Sequence, residues 1–149
     1  MTKKNKKTLI EIKKKLDSIR GTIISSASRI EFSLGYRLRT YFFPKTNNKA
    51  AILFWNVINT SFLSFDSKIR IYESIPYFKK LKSYPKIHES LKFVQRLRNI
   101  MAHWELDEKN SDLENIILFT LVGRYRKITI NSSLLEEFRK HEDFLLKKL

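Results

Sequence analysis

The chain has no cysteine. That excludes disulfides, a thiol nucleophile and a cysteine-ligated zinc centre, and it suits a reducing cytoplasm. Acidic residues are scarce as well: 15 Asp and Glu stand against 30 Lys and Arg, giving a net charge of +15 and a pI near 10.1. Such an excess favours polyanions, nucleic acid first among them, although a genome rich in A and T also enriches lysine without any such purpose. Long hydrophobic runs are missing. The longest, around Ala50 to Trp55 and Ile116 to Val122, are too short to span a bilayer. The basic start, Met1 to Lys7, leads into Glu11, Lys13, Lys14, Lys15 and Asp17, which leaves no apolar region of a signal peptide. The expectation is a cytoplasmic protein with no membrane association.

What is present suffices for a core. Hydrophobic residues make up 42% and aromatics 13% of 149 residues, which suits one ordinary domain over 8–149 behind a flexible basic arm over 1–7. Thr8 and Glu11 read as a capping box. Leu9, Ile12, Leu16, Ile19, Ile23, Ala27, Ile30, Leu34, Leu38 and Tyr41 then keep a three-four spacing until Pro44, so the expected helix is about 50 Å long. Gly21 and the serines at 25, 26 and 28 are candidate bends. Glu31 falls beside Ala27, Leu34 and Leu38 on this wheel and so points inward. A second helix is expected from Lys49 to Asn59, with Trp55 in the core. Ser64 suits the cap of a third, from Asp66 to Ile75, stopped near Pro76. Tyr77 to Tyr84 reads as a basic loop or short helix.

The C-terminal third changes period. After a polar turn from Glu105 to Ser111, Leu113 to Leu121 is apolar, Val122-Gly123 turns the chain, and Tyr125 to Ile130 alternates. This is a β-hairpin pattern, although a run such as Leu113 to Leu121 also fits a helix. Arg124, Arg126 and Lys127 form a basic edge, available to a phosphate backbone or serving as edge protection. Asn131, Ser132 or Ser133 caps a final helix with apolar Leu134, Leu135, Phe138, Leu145 and Leu146. His88 and His141 read as solvated, the latter in an ordinary surface pair with Glu137. The three histidines lie far apart in sequence, so no metal site or other cofactor is expected.

The most informative stretch is Arg98-Asn99-Ile100-Met101-Ala102-His103. It ends a helical pattern that begins near Pro85, where Ile87, Leu91, Val94 and Met101 form one stripe with Leu97 and Arg98 on its shoulders. Arg98 leans toward the core and needs an anion there, from the protein or from a ligand phosphate. Gln95, Ala102, Asn99 and His103 continue around the wheel as a polar sector kept open by the small Ala102. Five residues of helix put Arg98 and His103 about 7.5 Å apart along the axis, within reach of one phosphodiester. Glu31 is the expected partner of Arg98, either steadying the guanidinium for function or merely fixing helix packing. His103, by itself, also suits a helix C-cap.

An Arg, a polar residue directly after it and a His at the fifth following position resemble the signature of the HEPN superfamily, here in its "RN, three residues, H" form, RNIMAH at 98–103. Ser28 to Leu34 running on to Tyr41-Phe42, and Leu63 to Ile69, are similar to segments preceding that signature in bacterial HEPN proteins. The resemblance covers the chain from Ser28 to Trp104. It implies a mainly α fold, an up-and-down helical bundle, here with a small β-hairpin near the C-terminus followed by a final helix. It also implies a metal-independent ribonuclease in bacterial defence, abortive infection or toxin-antitoxin growth control, with a possible antitoxin or defence-system partner. Some toxin subfamilies carry a tyrosine two places after the His for regulatory modification; position 105 here is Glu.

The residues suit that chemistry. An imidazole titrates near neutrality, so His103 can move a proton at the pH of the cell. The RNA 2′-hydroxyl is an internal nucleophile, and its attack needs a base, an acid at the leaving oxygen and positive charge on the phosphorane. Arg98 offers that charge in a planar fork, and Asn99 is placed to orient His103 or the phosphate. One histidine does not easily serve both proton transfers; the resemblance implies a homodimer joining two motifs in one cleft. Arg96, Arg124, Arg126 and Lys127 are candidate RNA contacts. The alternatives are a non-catalytic module binding RNA, nucleotide or a protein partner through the same groove, and a helical adaptor whose motif is a buried ion pair.

Overall fold

The computed structural model describes residues 3–45, 47–60 and 63–149, with side chains from Lys7 onward. Among these, the chain is mainly helical with one small antiparallel sheet. The helices are α1 (Lys3–Phe42), α2 (Asn48–Leu53), α3 (Phe65–Ser74), α4 (Pro76–Lys79), α5 (Tyr84–His103) and α6 (Ser132–Lys148). The strands are β1 (Glu105–Leu106), β2 (Ile116–Thr120) and β3 (Arg126–Ile130), in the order β1-β2-β3. No described helix is long and apolar enough to cross a membrane.

Two compact units share the three longest helices. The first comprises Met1–Ser25 and Arg96–Lys140, the second Ser26–Gln95 and His141–Leu149. In the first, Ile12, Leu16 and Ile23 of α1, Leu97, Ile100 and Met101 of α5, Ile116 and Leu118 of β2, Ile130 of β3 and Phe138 of α6 are buried. In the second, Ile30, Leu34 and Leu38 of α1 are buried, as are Phe65, Ile69 and Tyr72 of α3 and Ile87, Leu91 and Val94 of α5. The three-four spacing thus marks the buried stripe of both long helices.

Several boundaries differ from the sequence reading. Residues 3–7 of the anticipated arm already belong to α1, so Thr8 lies inside the helix rather than capping it; Met1 and Thr2 lie outside the described residues. The 40 residues of α1 run unbroken past Gly21 and the serines, a rise of about 60 Å. A buried apolar side every third or fourth residue holds the backbone helical where propensity alone is indifferent. Asn47 caps α2 through its Oδ1, which accepts from Ala50 N at 2.8 Å. The helix then widens into a π-helical turn over Phe54–Ile58.

That turn overturns the core assignment of Trp55, which is 58% exposed. Ala50, Phe54 and Ile58 occupy the inward positions at four-residue spacing, which leaves Trp55 one step around the helix, its ring edge-on to Phe54 at 5.1 Å. Gly35 of α1 accommodates the turn, since a Cβ there would stand 3.1 Å from Ile58 Cγ2. Ser64 caps α3 as anticipated, its Oγ accepting from Ser67 N at 3.2 Å. The helix stops at Ser74, near Pro76 as anticipated, with Ile75 in the extended conformation that a following proline favours; Pro76 itself opens α4, at a position where its missing N–H is not needed.

The Leu113 to Leu121 run resolves as strand over Ile116–Thr120, paired with β3 from Ile116↔Ile130 to Thr120↔Arg126. Gly123 supplies the turn with φ +79°, a conformation open to glycine at little cost. The third strand, β1, was not visible in the sequence: Glu105 and Leu106 pair with Phe119 and Leu118. Asn131 is the cap of α6, its Oδ1 accepting from Leu134 N at 3.1 Å.

Candidate functional site

The last turn and a half of α5 is anchored from beneath. Leu97, Ile100 and Met101 are 2%, 4% and 1% exposed, so the opposite side of the helix is turned to solvent. Asn99, Ala102 and His103 lie on that side, all exposed, with Arg96 beside them and Arg98 half-buried on the shoulder. Sequence spacing and structure agree on this open polar sector.

Beyond His103 the chain is held firmly. Trp104 N donates to Ile100 O at 2.9 Å, closing the helix, and Trp104 O accepts from Arg20 Nη2 at 2.6 Å. The chain then enters β1 directly, and Asp107 N donates to Ile117 O at 2.8 Å. His103 therefore sits on a pedestal with a helix on one side and a sheet on the other. Arg20 was missed at the sequence level. Its signal was available: it follows Leu16 by four residues and precedes Ile23 by three, which sets a cation on an apolar stripe just as Arg98 is set.

The expected pairing of Arg98 with Glu31 is replaced by two other arrangements. Arg98 Nη1 donates to Asn99 Oδ1 at 3.1 Å, and no carboxylate lies within ion-pair distance of Arg98 among the described residues. Glu31 belongs to the other unit, where its Oε1 takes Lys68 Nζ at 2.7 Å. Lys68 is 3% exposed and, as an ammonium withdrawn from water, has the greater need of a charged partner. Glu31 thus supports helix packing, and Asn99 is engaged with the guanidinium rather than with the imidazole.

The hairpin residues belong to the same unit as the motif. Arg124 and Arg126 are exposed and carry no ion pair among the described residues. Lys127 differs. Its Nζ bonds Asp107 Oδ2 at 3.0 Å and lies 5.6 Å from the Tyr125 ring centroid. Asp107 also accepts from the Asn110 side chain at 2.9 and 3.0 Å. The Asn110 amide first and Lys127 second hold its carboxyl down at a pKa of about 2. Bonding to Tyr125 and then to Asp107 raises that of Lys127. Lys127 is therefore a clamp of the β1–β2 loop before it is a contact for any ligand.

The other two histidines, expected to be merely solvated, both have partners, although the His88 side chain remains 39% exposed. His88 Nε2 meets Glu73 Oε1 at 2.7 Å and its ring stacks on Tyr84. His141 Nδ1 meets the buried Ser90 Oγ at 2.9 Å, with its ring stacked on Phe93 at 4.4 Å, so Glu137 is not its partner. Both are absorbed into packing of the second unit, which leaves His103 as the exposed imidazole among the three. Comparison of the chain with family models, with curated proteins and with solved structures finds no match.

Proposed function

We propose that this chain is a metal-independent endoribonuclease of the HEPN type, working as a homodimer in bacterial defence or toxin-antitoxin growth control. The observation that carries the reading is the state of Arg98. Arg98 is half-buried, and among the described residues its guanidinium is met by the neutral Asn99 amide and by no carboxylate, so its charge is available to a phosphate. A motif serving only as a buried ion pair would have its carboxylate, and Glu31, the candidate for that role, is bound to Lys68. Three further features agree: an exposed His103 about 7.5 Å along the helix from Arg98, Arg96, Arg124 and Arg126 in the same unit with no ion pair among the described residues, and a net charge of +15.

In this mechanism the 2′-oxygen attacks the adjacent phosphorus while His103 takes the hydroxyl proton. The bond to the 5′-oxygen breaks, and that oxygen takes a proton from the imidazolium of His103 in a second copy, which becomes neutral. Arg98 neutralises the non-bridging oxygens as charge accumulates on them. The products are a 2′,3′-cyclic phosphate and a 5′-hydroxyl. The biological setting and the dimer rest on the family resemblance alone.

The test is RNA cleavage in EDTA by wild type and His103→Ala. Cleavage leaving cyclic phosphate ends and abolished by the substitution, with fold and oligomeric state intact, is the expected result. Cleavage retained by His103→Ala removes the imidazole from the mechanism. RNA bound but not cut, with affinity falling steeply as salt rises, identifies the non-catalytic module instead.

A further inference from the structure

The second compact unit contains a cavity of about 360 Å³ lined by Arg37, Thr40, Tyr41, Tyr77 and Phe78. Small-ligand sites typically measure roughly 300–1,000 Å³. One wall comes from the last turns of α1 and the other from α4. The aromatic side is close-set: Tyr41 lies 5.7 Å from Tyr77 and 5.2 Å from Phe78, centroid to centroid. Yet Tyr77 is 56% and Tyr41 40% exposed, so part of each ring is accessible to an aromatic partner.

The polar side is incomplete. Arg37 donates through Nη1 to Lys148 O at 2.9 Å, and its Cζ stands 5.4 Å from the Phe78 centroid. Its Nε, however, is buried without a hydrogen-bond partner, and so is the hydroxyl of Tyr72, whose ring stacks on the same Phe78 at 4.5 Å. Burial pushes the Tyr72 phenol up, with the positive charge of Arg37 acting against it. Two donors flanking one cavity-lining ring lack acceptors, and one of them belongs to a cation with no carboxylate among the described residues. Arg37 is the cation on the cavity lining, so an anion seated there would meet an opposite charge in a planar fork.

We infer that this cavity binds a nucleoside monophosphate unit, with the phosphate on Arg37 and the base stacked on the Tyr41 and Tyr77 rings. Bases present a π-face that tyrosine accepts without regard to sequence. The unit comes either from a free mononucleotide or from a single-stranded RNA; only the second source rests on the ribonuclease reading. The site lies in the second unit, whereas Arg98 and His103 lie in the first.

Isothermal titration of the full chain with adenosine and uridine 5′-monophosphates, adenosine, inorganic phosphate and a short single-stranded RNA tests this. The monophosphates should bind at least about tenfold more tightly than adenosine or phosphate alone. Arg37→Met should weaken the monophosphates by roughly tenfold to a hundredfold and leave adenosine unchanged. Tyr77→Ala, at a ring that is 56% exposed, should weaken monophosphate and adenosine together, with an unfolding midpoint close to wild type. Competition between RNA and monophosphate identifies the strand as the source; monophosphate binding without competition identifies the free nucleotide. No heat from either monophosphate, or affinities unchanged in both variants, overturns the assignment. His103→Ala should keep this binding while losing cleavage, so failure here and failure of the nuclease reading are told apart.

Discussion

Arg98 and Lys68 show two settings in which this chain holds a cation. Lys68 is 3% exposed and carries its own carboxylate, Glu31, at 2.7 Å; Arg98 is half-buried and holds a neutral amide. Replacing Glu31 by Ala should therefore cost about 3 kcal/mol of stability by stranding the Lys68 ammonium, measured by urea unfolding. RNA cleavage per folded molecule should be unchanged, and a specific loss of cleavage would return Glu31 to the site. Arg98→Lys keeps a charge but loses the fork, and should lower the initial cleavage rate by about tenfold or more without moving the unfolding midpoint. Asp107 provides a pH marker. Its folded pKa of about 2 lies below the ordinary carboxylate value of 3.8, so the ionised form is favoured by folding. The contribution is complete above pH 4 and disappears as pH falls toward 2. Asp107→Asn should remove that segment of the acid-unfolding curve, and an identical curve would disprove the linkage.

At the scale of elements, α5 performs two tasks with one period. Its stripe of Ile87, Leu91, Val94, Leu97 and Met101 is buried, and Arg98, Asn99 and His103 lie between and beyond those positions; the motif inherits its orientation from the core beneath it. The hairpin matters because β1 follows His103 almost at once and locks the chain leaving the helix. Gly123→Ala, at φ +79°, should destabilise the protein by about 1 kcal/mol, and Asn131→Ala should cost about 1 kcal/mol through loss of the α6 cap. Thermal unfolding checks both, and because the two sites share no hydrogen bond, their effects should add in the double variant. Helices were legible because a three-four apolar spacing over many turns has one good solution. The two-residue β1 and the π-helical turn were not, because neither is long enough to carry a period of its own.

For the whole molecule, the charge of +15 is a statement about association more than about fold. RNA affinity should fall linearly in log-log terms as salt rises, with Arg96→Gln and Arg124→Gln each lessening the slope by about one unit. An unchanged slope would mean that these cations do not meet phosphate.

The amino-acid order alone determined the helical character, the buried stripes of α1 and α5, the turn at Gly123 and the alignment of Arg98, Asn99 and His103 on one stretch of helix. Each is a local periodic property, readable within a few turns of chain. Tertiary structure alone decided the partners. Glu31 found Lys68 at 37 residues' separation, His141 found Ser90 at 51 and Arg20 found Trp104 at 84. A charge or a ring selects among whatever groups the fold brings within about 3 Å of it, and that choice is made in space rather than along the chain.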